Sequence, residues 1–171
     1  VLDTAVEMLA YVLPEDKLDG MLVYTADKNG EGDRYFCKDG KIQRESDDGS
    51  RDSRYPKEDD HELDVPLAVL VNGNSASASE VFTGAVMDYD AGIVVGTTTF
   101  GKGIVQNLIP LGDGTAIKLT TAHYYTPNGF DLHGKGLEPD VVVEMDEELQ
   151  KKAVVELSED NQLQAAIEAM N

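Results

Sequence analysis

The stretch "VPLAVLVNGNSASASEVFTGAVMDYDAGIVVG", residues 65–96, decides the fold class. Its first part, "VPLAVLVN", is a short continuous apolar run of the kind that forms a buried, parallel strand. Val81, Phe82, Ala85, Val86 and Tyr89 then recur at the spacing of one helix face. "AGIVVG" returns as a second buried strand. Strand, helix and strand in so short a span predict a βαβ unit with a right-handed crossover, hence an α/β fold.

Between the first strand and the helix stand three serines, Ser75, Ser77 and Ser79, separated by Ala76 and Ala78. Ser77 and Glu80 have the spacing of a capping box, with Ser77 as N-cap and Glu80 at the third helical position. The same place suits a nucleophile. A hydroxyl there lies beside unpaired backbone N–H groups and the positive end of the helix dipole, which can stabilise an oxyanion. At most one of the three serines can face a given substrate.

A nucleophilic serine needs a base. His123 sits in a strand-like stretch and His133 in a glycine-rich loop, and neither belongs to a local motif. Lys102, among Phe100, Gly101, Gly103, Ile104 and Val105, is the other candidate. Burial there would disfavour the ammonium and prepare the amine to act as a base, whereas the plainer reading packs the stem and sends the head to water. If Lys102 lies on a strand, Gln106 projects to the same side, where a neutral amide could orient the amine without restoring its charge. Gly96 to Lys102 also fits the phosphate-loop spacing G-x-x-x-x-G-K. The match fails at Gly103, where Ser or Thr is required, and at the β-like "IVQNLIPL" where a helix should open.

Outward from this segment, Leu2, Val6, Leu9 and Leu13 predict a helix that Pro14 ends, and "GMLVYTA" a strand. Residues 27–62 are almost wholly polar and predict a hairpin or a long excursion, mobile in part. "GIVQNLIPLGDGTAIKLTTAHYYTP" reads as two strands joined at "GDG", "TPNG" as a turn and "PDVVVEM" as a last short strand. "DEELQKKAVVEL" and "NQLQAAIEAM" predict closing helices split at residues 158–160.

The 171 residues suffice for one domain with a real core. A formal charge of -19 disfavours nucleic acid and anionic lipid as partners. Cys37, the single cysteine, precludes an internal disulfide and a thiolate cluster. The three histidines lack ligand spacing, which gives no metal signature. No window has the character of a membrane span or a signal peptide. Val1 is not a natural start, and the chain is expected to be a piece of a longer protein.

"SASASE", "TFGKGIVQ", "YYTPNG" and "HGKGLEPDV" together resemble the C-terminal processing peptidases, or tail-specific proteases, in motif order and distance over essentially the whole chain. The resemblance implies a curved core similar to the crotonase and Clp protease fold. It also implies a Ser/Lys dyad in which the nucleophile stands twenty-five residues before the lysine, which selects Ser77 for Lys102. Gln106 would orient the lysine, and Ala78 would supply an oxyanion-hole N–H. Implied partners are protein or peptide substrates with exposed C-terminal tails and a PDZ domain in cis, and a homo-oligomer is open to it. The implied location is extracytoplasmic: cell envelope, periplasm or secreted. The family's Asn-Pro-Gly-Gly-like loop, source of a second oxyanion donor, is not in these residues, nor is the PDZ domain. This stretch alone is therefore expected to be weak or inactive. A non-catalytic peptide-tail binding or assembly module on the same fold is the alternative. Another hydrolase or a crotonase-type enzyme on small molecules would instead need a ligand pocket in place of an extended groove.

Overall fold

A computed structural model describes residues 2–13, 20–38, 41–56 and 65–171. Helix α1 (Leu2–Val12) buries Ala5, Val6, Leu9 and Ala10, the face that the apolar spacing predicts. Pro14, assigned as its stop, lies outside the described residues. Strands β5 (Ala68–Val71) and β6 (Ile93–Gly96) pair in parallel on either side of helix α2 (Ala78–Asp88), so the βαβ unit forms as its pattern requires. β9 (Val141–Val142) adds in parallel to β6. Asp140, just before it, accepts the Val94 N–H at 2.7 Å and fastens this third strand.

The second sheet is antiparallel and six-stranded, ordered β4-β3-β2-β1-β8-β7. Its members are β1 (Met21–Ala26), β2 (Asp33–Lys38), β3 (Lys41–Ser46), β4 (Arg51–Pro56), β7 (Ile104–Pro110) and β8 (Ala116–Tyr125). The polar stretch from residue 27 onward thus supplies three strands of a sheet, and residues 57–62 lie outside the described part. It needs few apolar residues for this. Tyr35 and Cys37 alternate onto one face and Ile42 stands directly across from Cys37, all three buried in the main core. Arg44 pairs with Asp33 at 3.0 Å beside them. A bulge between Met21 and Val23 lets the consecutive Leu22 and Val23 both be buried.

Val6, Leu9, Leu13, Leu22, Val81, Ala85 and Val86 join those three in one cluster, which packs α1 against α2 and both against β1. Burying a Val or Leu side chain is worth about 1.5–3 kcal/mol, so this cluster is what fixes α2 in place.

The C-terminal segment departs from expectation. Only Glu147–Gln150 of "DEELQKKAVVEL" is helical (α3), while Asn161–Ala169 forms α4 as predicted. Val154 and Leu157 stand 78% and 73% exposed. A short helix gains its stability from burying an apolar face, and these residues meet no surface that would bury one. Helix α4 does, packing on β5 and β6, with Asp160 capping its first turn.

Candidate active site

The loop after β5 is built by its own short side chains. Ser75 Oγ accepts the Asn72 N–H at 3.1 Å, and the Ser75 carbonyl accepts the Phe100 N–H at 2.9 Å. Ser75 therefore ties this loop to residues 97–103, the loop between β6 and β7. Ser79 uses its carbonyl to accept from Thr83 Oγ1 at 2.8 Å within α2.

Ser77 is the N-cap of α2 and carries φ 58 and ψ -113. It is one of two non-glycine residues with positive φ among the described residues, the other being Asp90. Such a conformation costs about 1–3 kcal/mol and persists where surrounding contacts over-determine it. Here the contact is a hydrogen bond from Ser77 N–H to Glu80 Oε2 at 2.9 Å, the carboxylate half of the capping box. The Glu80 N–H in turn donates to the Ser77 carbonyl at 2.9 Å. Ala78 opens the helix, and its N–H belongs to the first turn, where no earlier helical carbonyl is available.

Glu80 is the residue that a sequence reading limited to capping underestimates. Its side chain is fully buried, and its two oxygens collect four donors. Oε2 accepts from Ser77 N–H and from Lys102 N–H at 2.8 Å. Oε1 accepts from Gly101 N–H at 2.6 Å and from Thr99 Oγ1 at 2.5 Å. A buried carboxylate is tolerable when its lone pairs are met in this way. A signal for it was present: Glu80 stands three and four residues before Thr83 and Gly84, on a buried small-residue stripe of the helix. The phosphate-loop likeness of residues 96–102 also acquires a physical meaning. The loop does present backbone N–H groups to an anion, but the anion is the protein's own carboxylate.

Ser77 and Lys102 are thus brought to one oxygen through their backbones. Lys102 lies in the loop, two residues before β7, with its side chain exposed. The alternation argument that puts Gln106 on its side requires both on a strand, and only Gln106 is on one. Gln106 Nε2 donates to Thr120 Oγ1 across the β7–β8 ladder at 3.2 Å. The two histidines considered as bases are engaged with each other and with Asp131. His123 Nδ1 lies 3.1 Å from Asp131 Oδ2, the His133 N–H donates to Asp131 Oδ1 at 3.0 Å, and the rings meet edge to face at 4.9 Å. Burial works to raise the Asp131 carboxyl, but the His133 N–H and His123 outweigh it and hold it below its ordinary value.

Beside the serine loop opens a cavity of about 510 Å³. Ala5 and Met8 of α1, Leu70 of β5 and Ala78 and Phe82 of α2 line it, with Ser75 at the serine loop. β5 and α2, the chain neighbours of the loop, thus share one apolar hollow with α1.

The sequence profile of peptidase family S41 matches residues 1–143. A carboxy-terminal-processing protease of Bartonella bacilliformis is 54% identical over 79 residues, covering 46% of this chain and 18% of that protein. The chain thus aligns to less than a fifth of that curated relative's length. Among solved structures, a photosystem II D1 C-terminal processing protease is 33% identical with a TM-score of 0.61, over 84% of this chain and 31% of that one. A structure from Bacteroides fragilis, at 17% identity and a TM-score of 0.70, covers 99% of this chain and 41% of that one, and shares the fold.

Proposed function

The chain belongs to peptidase family S41, and on that premise we propose that its parent protein is a serine endopeptidase that cuts near the C-termini of protein substrates. Ser77 Oγ attacks the scissile carbonyl while the Lys102 amine takes its proton. The Ala78 N–H helps to hold the oxyanion. As the intermediate collapses, Lys102 returns the proton to the leaving amine, and water then hydrolyses the acyl-enzyme. Gln106 is proposed to orient the amine once substrate is bound, exchanging its bond to Thr120. The observation that carries this reading is the Glu80 carboxylate, which holds the Ser77 and Lys102 backbones on one oxygen.

The apolar cavity beside Ser75 and Ala78 supports a substrate with an uncharged side chain next to the cut bond. C-terminal tails as substrates, capture by a PDZ domain in cis and work outside the cytoplasm are proposed from the family resemblance. Residues 1–171 prepared alone are expected to turn over slowly, because Ala78 is the one oxyanion donor assigned among them. Loss of one such donor costs on the order of 10²–10³ in rate.

A fluorophosphonate probe on the parent protein tests the assignment. Labelling at Ser77, with Lys102→Ala lowering peptide hydrolysis by about 10³-fold or more, is the expected result. Tail-peptide binding without any labelling would overturn it in favour of a non-catalytic module.

A further inference from the structure

Thr99 lies in the 97–103 loop and is 5% exposed. Its hydroxyl is used in both directions. Oγ1 donates to Glu80 Oε1 at 2.5 Å and accepts the Leu137 N–H at 2.8 Å. The sense of each bond is forced: the peptide N–H can only donate, so the hydroxyl proton points to the carboxylate. The Thr99 N–H also donates to the Leu137 carbonyl at 3.0 Å. One side chain therefore joins helix α2, the loop that carries Lys102 and the segment that follows Gly136.

We propose that Thr99 is a positioning residue for the reaction, acting through Glu80 on Ser77 and Lys102. The inference rests on the peptidase reading above. Glu80 is wholly buried, so a donor removed from Oε1 is not replaced by bulk water. The carboxylate can recover only by turning, and turning withdraws Oε2 from the Ser77 and Lys102 N–H groups. Ser77 would then lose the contact that holds its positive φ, and the hydroxyl would leave its attacking position. Thr99 does not line the cavity that the peptidase reading assigns to substrate, so the loss is expected in the chemical step and not in binding.

Thr99→Val in the parent protein keeps the branched shape and deletes the hydroxyl, and Thr99→Ser restores it. The expected result for Thr99→Val is a kcat lower by about 10- to 100-fold with KM unchanged, the size of one buried donor lost. Fluorophosphonate labelling of Ser77 should slow in parallel, measured well below the unfolding temperature, and Thr99→Ser should recover most of both. Wild-type kcat and labelling in folded Thr99→Val, or a loss that appears in KM alone, would overturn the proposal. Should Thr99→Val not fold, Thr99→Ala also deletes the hydroxyl, and a wild-type kcat there would overturn it equally. Failure of the wild-type protein to label at Ser77 would instead remove the peptidase reading itself. Labelled wild type with an indifferent Thr99 removes only this inference.

Discussion

Residues 101–103 and 134–136 spell the same tripeptide, Gly-Lys-Gly, and they pack against each other through their backbones. The Gly134 N–H donates to the Gly101 carbonyl at 2.9 Å, and a methyl on Gly101 would come within 2.9 Å of Gly136 N. Their surroundings then diverge. In the first, the Gly101 and Lys102 N–H groups end on a buried carboxylate that also holds Ser77. In the second, the Lys135 and Gly136 N–H groups close an ordinary turn on the Leu132 carbonyl, and the Lys135 ammonium rests 5.0 Å from the Phe130 ring. Identical local sequence acquires a different task from the partner that the fold brings to it. One loop donates its backbone N–H groups to the carboxylate that also holds Ser77, and the other buttresses that loop.

The strongest way to break this comparison is to remove each lysine in turn. Lys102→Ala should abolish peptide hydrolysis by the parent protein, whereas Lys135→Ala should keep kcat/KM within about twofold, since an exposed cation–π contact is worth about 0.5–1 kcal/mol. Equal losses in the two variants would show that both loops serve the chemistry.

A smaller effect separates the glycines of the buttress. Gly136 has φ +73, and a methyl there would lie 2.3 Å from the Thr99 carbonyl. Gly134 has φ +72 but open space around it. Gly136→Ala should cost more than about 3 kcal/mol, combining backbone strain with a clash that no side chain can relieve. Gly134→Ala should cost about 1–2 kcal/mol, the strain alone. Thermal unfolding of the two variants measures the difference, and a Gly136→Ala as mild as Gly134→Ala would show that the loops are not locked together.

The smallest effect is one of pH. Asp131 holds His133, at the start of the second loop, and its carboxyl sits below the ordinary 3.8. A folded-state value below the unfolded one means that the stabilisation is fully present above about pH 4 and is lost as acid titrates the carboxylate. The unfolding temperature should therefore fall on acidification through that range, with a shallower fall in Asp131→Asn. An unchanged slope in Asp131→Asn would place the acid sensitivity elsewhere.

Much of the site's neighbourhood is legible in the chain. The apolar run before residue 72, the helix face through Val81 and Val86 and the Ser77/Glu80 spacing all follow from local periodicity and capping, which need no distant partner. The strands of the 33–56 region were harder to read. Their stability rests on Tyr35, Cys37 and Ile42 reaching a core supplied mainly by α1 and β1, and three apolar residues in a polar stretch are a faint signal. The helix predicted beyond Gln150 had acceptable propensity and no surface to cover. Strand alternation would put Gln106 on the side of Lys102, but Lys102 lies in the loop that ends at Gly103, outside the strand.

By itself the sequence determined the βαβ unit and the place of a serine at its strand-to-helix junction, and it carries the family resemblance from which Ser77 and Lys102 are proposed. These are local facts, set by side-chain periodicity, capping chemistry and motif spacing. The tertiary structure alone decided what Glu80 does. Residues 77, 99, 101 and 102 meet around the Glu80 carboxylate, with residue 137 bonded to Thr99 behind it, only after β5, β6 and α2 have packed. A buried charge chooses its partners by which donors the fold leaves unpaired beside it, and spacing along the chain does not record that choice.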